Sequence, residues 1–365
     1  MTPPFSKILG NLPAMTPFVG PETIERRRAK PFRLRLGANE SNFGVSPKVT
    51  AAIVEAAPRA FWYCDPEHFD LRGKLAAKHG VERTNVVIGE GIDGLLGVIV
   101  RAFTDPGDTI VTSAGAYPTF NYHVVGYGGR LDFVPYTAAC ANDPQALVEA
   151  ARRTDAKLLY LSNPDNPTGS FLGADAVSFI LDKLPERCLL VFDEAYAEFA
   201  PPSGLLPLDA ADPRLIRLRT FSKTHGLAGM RVGYAIAAPE IVAAFDKIRL
   251  HFGVGRLSQI AAAAAVDDPG FEAQTVAAVA AGRRDYEDLA RGLNLPSLAS
   301  HTNFVPIDLG TSARAGRMLA LLEERDVFVR RPGVAPLDRF VRVSVGLPEE
   351  RTLFAEIFHD ALRAL

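Results

Sequence analysis

The chain reads as an α/β protein: a large domain with a mostly parallel sheet sandwiched by helices, joined to a smaller α+β domain. Three observations predict this. At 365 residues the chain is too long for one compact core. From Ser46 onward, short apolar runs alternate with helical stretches. Near residue 255 the sequence turns alanine-rich and the order of elements changes. The expected boundaries are 46–255 for the large domain, with 1–45 and 256–365 forming an N-terminal arm and the small C-terminal domain.

The first forty-odd residues are rich in Pro and Gly and carry the basic cluster "ERRRAKPFRLR". They are expected to wrap over other elements rather than form a core. "NVVIG" (85–89), "TIVTSA" (109–114), "RLDFVPY" (130–136), "KLLYLS" (157–162), "CLLVFD" (188–193) and "LIRLRT" (215–220) have the length and apolar content of strands. Between them, "DGLLGVIVRAF", "PQALVEAARR" and "GADAVSFILDKL" predict helices. Such alternation favours a sheet covered on both faces. "RVGYAIA" (231–237) follows Thr220 too closely for a helical crossover, so this strand is expected antiparallel. Beyond 255, "LSQIAAAAAVDD" and "FEAQTVAAVAAGRRDYEDLARGL" are helical by propensity. Then follow a strand "NFVPIDL", a helix "ARAGRMLALLEERD", strands "VFVRR" and "FVRVSV", and a closing helix "PEERTLFAEIFHDALRAL".

Composition excludes several classes of function. Hydrophobic content of 48% with 22% charged residues is that of a folded, soluble chain. A net charge of −2 gives no electrostatic footprint for nucleic acid or an anionic membrane. Cys64, Cys140 and Cys188 are far apart, odd in number and not in metal-type spacing, which points to a reducing, cytoplasmic compartment. The seven histidines form no ligand pair. The N-terminus lacks the charged start and apolar core of a signal peptide, and no run of 18 apolar residues predicts a membrane span.

Three segments each leave a predicted strand and at once present polar groups: "SNPDNPTG" (162–169), "FDEAYAEF" (192–199) and "TFSKTHG" (220–226). In an open parallel sheet, ligands bind outside the carboxyl ends of the strands, so these are candidates for one site. A fourth, "GEGIDG" (89–94), opens a helix and spells G-x-G-x-x-G. It fails as a dinucleotide fingerprint, because "TIVTSAGAYP" ends in no acidic residue and more than eighty residues precede the motif. Glycines at a helix N-terminus can still cradle a phosphate with backbone N–H groups. Taken singly, Asp193 reads as a structural ion pair, Asn166 as a turn residue, Lys223 as a solvated charge and Arg231 as a surface arginine. Together they place a carboxylate, an amide, an amine and a guanidinium at successive strand ends. An amine can condense with an aldehyde, a carboxylate can keep a pyridine nitrogen protonated, and a cation with hydroxyls can hold a phosphate. That set fits pyridoxal 5′-phosphate.

"SNPDNPTG", "DEAYAEF" and "TFSKTHGLAGMRVGY" resemble the signature segments of the pyridoxal-phosphate aminotransferases with the aspartate aminotransferase fold (fold type I). Within that group the chain is most similar to the histidinol-phosphate aminotransferases. "LGANESNFGVSP", "YCDPEHFDLRGKLA" and "FVRVSVGLPEE" extend the likeness over nearly the whole length. The resemblance implies that Lys223 forms a Schiff base with the cofactor and later shuttles the substrate proton, and that Asp193 pairs with the ring nitrogen. It gives Asn166 and Tyr196 to the ring's phenolic oxygen and Tyr117 to stacking on the ring. The phosphate falls to Ser222, Arg231 and the backbone N–H groups of Ile92 and Asp93. Tyr63 is implied to reach the phosphate of a neighbouring subunit, making a homodimer part of the site. Arg342 is implied to pair with the substrate's α-carboxylate and Arg330 with a substrate phosphate.

The sequence departs from the family at two places. Ile92-Asp93-Gly94 replaces the usual Ser-Asp-Glu or Ala-Asp-Glu, and Phe18 stands where a phosphate-binding tyrosine is usual, with no hydroxyl to donate. The expected reaction is transamination between histidinol phosphate, or a related amino donor, and 2-oxoglutarate, as in histidine biosynthesis. Transamination of aromatic or other amino acids and a threonine-phosphate decarboxylase-like reaction stay open, because the same cofactor apparatus serves each. A regulator built on this fold would need a DNA-binding segment, and the chain offers no basic patch for one.

Overall fold

The computed structural model describes residues 3–10, 12 and 19–365. The N-terminal part carries α1 (Lys7–Gly10), α2 (Pro21–Arg28), β1 (Leu34–Arg35), α3 (Pro47–Ala56) and α4 (Phe69–His79). The central part alternates: β2 (Val86–Gly89), α5 (Gly91–Phe103), β3 (Thr109–Ser113), α6 (Pro118–Gly126), β4 (Arg130–Val134), α7 (Pro144–Arg153), β5 (Leu158–Ser162) and α8 (Ala174–Lys183). It continues through β6 (Leu189–Asp193), β7 (Leu215–Thr220), β8 (Gly233–Ile236), α9 (Pro239–Asp246) and α10 (Arg256–Val266). The last part holds α11 (Pro269–Gly292), β9 (Phe304–Asp308), α12 (Ser312–Glu324), β10 (Val327–Phe328), β11 (Phe340–Ser344) and α13 (Pro348–Arg363).

The sequence sets several helix starts directly. Ser46 accepts from the Lys48 N–H, Asp143 from Ala146 and Thr311 from Arg314, each answering one donor left over in the first turn. Pro47 and Pro144 follow the first two caps, where a missing N–H costs nothing.

Seven strands form the main sheet in the order β2-β8-β7-β6-β5-β3-β4. β8 is antiparallel to both its neighbours, and the remaining pairs are parallel. The short Thr220-to-Gly233 connection therefore reverses the chain as the spacing predicts. Alternate residues feed opposite cores. Tyr160, Val191, Ile216 and Leu218 pack with α5, α6 and α9, whereas Leu159, Leu161, Leu190 and Phe192 pack with α7 and α8. Burial on both faces explains why "LLYLS" and "LLVFD" are apolar apart from the Tyr160 hydroxyl and the polar residue that ends each. On the second face, α3, α4 and α10 cover β2 and β8.

A second core lies between α11, α12, α13 and the antiparallel pair β9–β11, with Phe304, Val341, Phe354 and Phe358 fully buried. Here the expectation for the N-terminal stretch is corrected. Leu34 and Leu36 enter this core, and β1 pairs in parallel with β10. The basic and proline-rich surroundings hid two apolar residues that alternate with Arg35 in strand fashion. Packing also places α10 on the large unit, since Ala261, Ala262 and Ala265 share a core with Val49, Leu71 and Leu75. A boundary drawn by packing thus falls after α10, one helix later than the change in composition suggests.

Candidate active site

The parallel register pairs Ser162 with Asp193, so β5 and β6 end together. Gly233 of β8 pairs with both Thr220 and Gly89, which brings the ends of β7 and β2 to the same edge. The four polar segments singled out from the sequence therefore open onto one edge of the sheet, the carboxyl edge expected for a ligand site.

Asp193 is buried there. The Tyr160 hydroxyl donates to Oδ2 at 2.7 Å and the Ala195 N–H to Oδ1 at 3.0 Å. Among the described residues no cation forms a salt bridge with it. Burial pushes its carboxyl up to about 6, against the pull of the two donors and of Lys223. Lys223, after β7, donates from Nζ to the Asn39 carbonyl at 2.9 Å and lies 5.5 Å from the centre of the Tyr196 ring. Burial, reinforced by the positive Arg342, brings its amine down to about 8. More of this amine is neutral near pH 7 than of an ordinary lysine, and the neutral form is the nucleophilic one.

At the start of α5 the backbone is shaped to receive an anion. Gly91 has φ +71°, and a Cβ built there would come within 2.6 Å of Arg231 Nη2. Glycine thus lets the guanidinium lie against the helix N-terminus. Arg231 reaches Asp93 Oδ2 at 3.4 Å, and the Tyr117 hydroxyl donates to Asp93 Oδ1 at 2.9 Å. The buried Ser222 hydroxyl accepts from Thr220 Oγ1 at 3.0 Å. The N–H groups of Ile92 and Asp93, in the first turn, have no intrahelical acceptor. The departure at Ile92-Asp93-Gly94 leaves these backbone donors intact.

Facing this edge is Arg342 on β11. Its Nη1 donates to Asn166 Oδ1 at 2.5 Å and its Nη2 to the Gly37 carbonyl at 3.3 Å, and it lies 5.0 Å from the Phe304 ring centre. Its Nε is buried without a partner. Burial lowers its proton affinity, as expected of a cation short of anions. Arg330 exchanges backbone hydrogen bonds with Arg342, at 2.7 and 3.3 Å, and its guanidinium donates to the Val19 carbonyl. Phe18 lies outside the described residues. The structure thus joins Lys223, Asp193, Tyr196, Asn166, Arg342, Tyr117, Ser222, Arg231, Ile92 and Asp93 around one edge. Tyr63 makes none of these contacts: it is 80% exposed and packs on Phe252, ring centres 5.0 Å apart.

Sequence reasoning missed two members. Asn39, at φ +55°, accepts from Lys223, donates from Nδ2 to the Tyr196 hydroxyl at 2.9 Å, and bonds Ser344 Oγ through its N–H. Its signal was the "LGANESN" segment, whose resemblance carried no residue role. Tyr160 sits inside a strand read only as apolar. Among the described residues no group of three or more His, Cys, Asp or Glu could hold a metal, and no helix is long and apolar enough to cross a membrane.

The donor set suits a phosphorylated pyridine aldehyde: a reactive amine, a buried carboxylate without a cation, and an anion cradle, with a second guanidinium short of an acceptor. Comparison with known proteins agrees. The aminotransferase class I and II family model matches residues 33–355. Histidinol-phosphate aminotransferase 2 of Carboxydothermus hydrogenoformans is 34% identical over 354 residues, 95% of this chain and 96% of the relative. The histidinol-phosphate aminotransferase of Roseiflexus castenholzii is 36% identical over 94% of each chain. Among solved structures, histidinol-phosphate aminotransferase from Sinorhizobium meliloti in complex with pyridoxal-5′-phosphate is similar at a TM-score of 0.95 and 43% identity, covering 100% of this chain and 99% of its own. An aspartate aminotransferase from Thermus thermophilus, 21% identical, shares the fold at a TM-score of 0.82 over 98% of this chain and 99% of its own. The architecture is that of the fold type I pyridoxal-phosphate transferases. With the family model spanning nearly its whole length and relatives this similar from end to end, the chain belongs to the class I and II aminotransferases.

Proposed function

We propose that the protein transfers an amino group from histidinol phosphate, or a related amino donor, to 2-oxoglutarate, with pyridoxal 5′-phosphate held at the carboxyl edge of the main sheet. The carrying observation is the pairing of opposites on that edge: an amine brought down to about 8 and, near enough to feel its charge, a carboxylate pushed up to about 6 without a counter-ion. When bound, the cofactor supplies an aldehyde and an electron-withdrawing ring that makes a substrate Cα–H acidic.

Lys223 Nζ is the amine that would hold that aldehyde. Once released, the same nitrogen can take and return the proton at the substrate's Cα, for which an amine tuned toward neutral pH is suited. Asp193 would hold a proton at the ring nitrogen, and gains there the cation it lacks. Asn166 and Tyr196 would meet the phenolic oxygen and Tyr117 would lie against the ring. Ser222, Arg231 and the N–H groups of Ile92 and Asp93 would hold the phosphate at the positive end of α5. Arg342 would trade its Asn166 and Gly37 acceptors for the substrate's carboxylate, where a planar fork matches two oxygens. Arg330, joined to it through the backbone, would meet a substrate phosphate. Tyr63, exposed beside Phe61, Trp62 and Phe252, would serve the site of a second copy, so the working form is a homodimer. Three buried, unbridged cysteines support a reducing, cytoplasmic setting.

A half-reaction screen tests the proposal. The protein loaded with pyridoxal 5′-phosphate is mixed with single amines, and loss of the visible band is followed. Histidinol phosphate should bleach the band fastest, 2-oxoglutarate should restore it, and Lys223→Ala should show no band from a lysine-bound cofactor. A protein that stays colourless with added cofactor defeats the reading. Carbon dioxide release without a 2-oxo acid product would replace transamination by decarboxylation.

A further inference from the structure

Tyr160 lies in the middle of β5, fully buried, with its ring stacked on Phe120 at 4.5 Å and 17° between planes. A tyrosine in an otherwise apolar strand must find a partner for its hydroxyl, or the burial is costly. Its partner is Asp193 Oδ2, at 2.7 Å. This is an uneven exchange: a phenol could be satisfied by any neighbouring carbonyl, whereas here it spends its one proton on a carboxylate that has no cation. With the Ala195 N–H on Oδ1, each carboxylate oxygen has one fixed donor.

We propose that Tyr160 is a positioning residue for Asp193: its hydroxyl, anchored through the Phe120 stack, aims the carboxylate and keeps it ionised for the cofactor's ring nitrogen. The inference rests on the functional reading above and deepens it. A hydrogen bond to the charged form of a carboxyl favours that form. Tyr160 therefore offsets part of the burial that drives Asp193 toward the neutral acid, and a neutral acid would have no charge to hold a ring proton. The phenol cannot take over as the acid or base, because burial and the charge of Asp193 push its own proton affinity well above the ordinary range. Other charges bear on the pair from every side. Asp93 on α5 opposes ionisation of Asp193 and Lys223 after β7 favours it, while Tyr117 at the start of α6 and Asp165 after β5 act on Tyr160. Tyr196, three residues beyond β6, also feels Asp193. Among these, Tyr160 and Ala195 alone make hydrogen bonds to the Asp193 carboxylate.

The test uses the full chain, with and without pyridoxal 5′-phosphate, and Tyr160→Phe, which keeps the stack and removes the donor. Two quantities are read across pH: the infrared titration of Asp193 in the cofactor-free protein, and the cofactor's dissociation constant by fluorescence quenching. In Tyr160→Phe, Asp193 should hold its proton about tenfold more tightly. Cofactor binding should weaken about tenfold near pH 7, with its pH profile displaced upward. A role confined to packing would move neither profile along the pH axis. If Tyr160→Phe does not fold, a difluorotyrosine placed at 160, a stronger donor, should shift both profiles downward. Unchanged profiles in either variant, with the wild type binding cofactor normally, overturn the inference. A wild type that binds no cofactor overturns the functional reading instead.

Discussion

Asp193 and Glu194 are neighbours in the chain, both buried, with 3% and 1% exposure, yet the fold treats them in opposite ways. Glu194 is clamped by two arginines of β7. Arg217 gives it a two-pronged pair at 2.7 Å on each oxygen, and Arg219 adds contacts at 3.2 and 3.3 Å. Burial alone would raise its carboxyl, but Arg219 and Arg217 outweigh it and hold the group below the usual range. Asp193 receives two neutral donors and no such clamp, and stays raised. The arginine supply is adjacent, since Arg217, Leu218 and Arg219 alternate across β7, and both arginines turn to Glu194, with Arg219 also bridging to Glu198 at 3.3 Å. A charge that serves the fold has its counter-ion built in. On the proposed function, a charge that serves chemistry keeps the counter-ion's place free.

The comparison can be broken most forcefully at Glu194. Glu194→Ala leaves Arg217 buried without its anion and Arg219 with Glu198 alone, and should cost about 3–5 kcal/mol of stability in urea unfolding. A loss below about 1 kcal/mol would show that the clamp is not structural.

A somewhat smaller effect sharpens the other half. The Asp193 carboxyl is raised from 3.8 to about 6 on folding, so between roughly pH 4 and 6 the folded chain keeps a proton that the unfolded chain has lost. Stability of the cofactor-free protein should fall through that window as pH rises. The full penalty is about 3 kcal/mol above it. Asp193→Asn should remove this slope, matching wild type near pH 4 and exceeding it at pH 7, while cofactor binding is lost or much weakened. Parallel stability curves for the two proteins would mean that Asp193 is not strained by its burial.

The smallest effect expected is at Arg342, whose Nε is buried without a partner. Arg342→Lys keeps the positive charge but loses the fork, so KM for carboxylate-bearing donors should rise about tenfold with kcat less affected. An equal fall in kcat alone would assign Arg342 to the chemical step rather than to binding.

Much of this site could be read in advance, for identifiable reasons. Asp193 and Asn166 follow apolar runs that a doubly covered strand explains, and Lys223 follows the shorter apolar-and-basic run "LIRLRT", so their place at strand ends came with the strand assignment. Tyr160 escaped notice because its role depends on the register between β5 and β6, which pattern alone does not reveal. Asn39 escaped because its partners, Tyr196 and Ser344, are distant in the chain and meet only when the two units pack. The sequence reading also named no helix at α6, where "PTFNYHVVG" is built of aromatic and branched residues that favour helix weakly. Tertiary packing of Phe120 and Val124 overrides that preference.

The pairing of Leu34 and Arg35 with Val327 and Phe328 has a consequence for biosynthesis. Just beyond β1 lie Gly37 and Asn39, which hold Arg342 and Lys223 through their carbonyls. On a translating ribosome, β1 must wait until β10 has been made before the two can dock. The contact of Gly37 with Arg342 therefore cannot close until β11 has also been made.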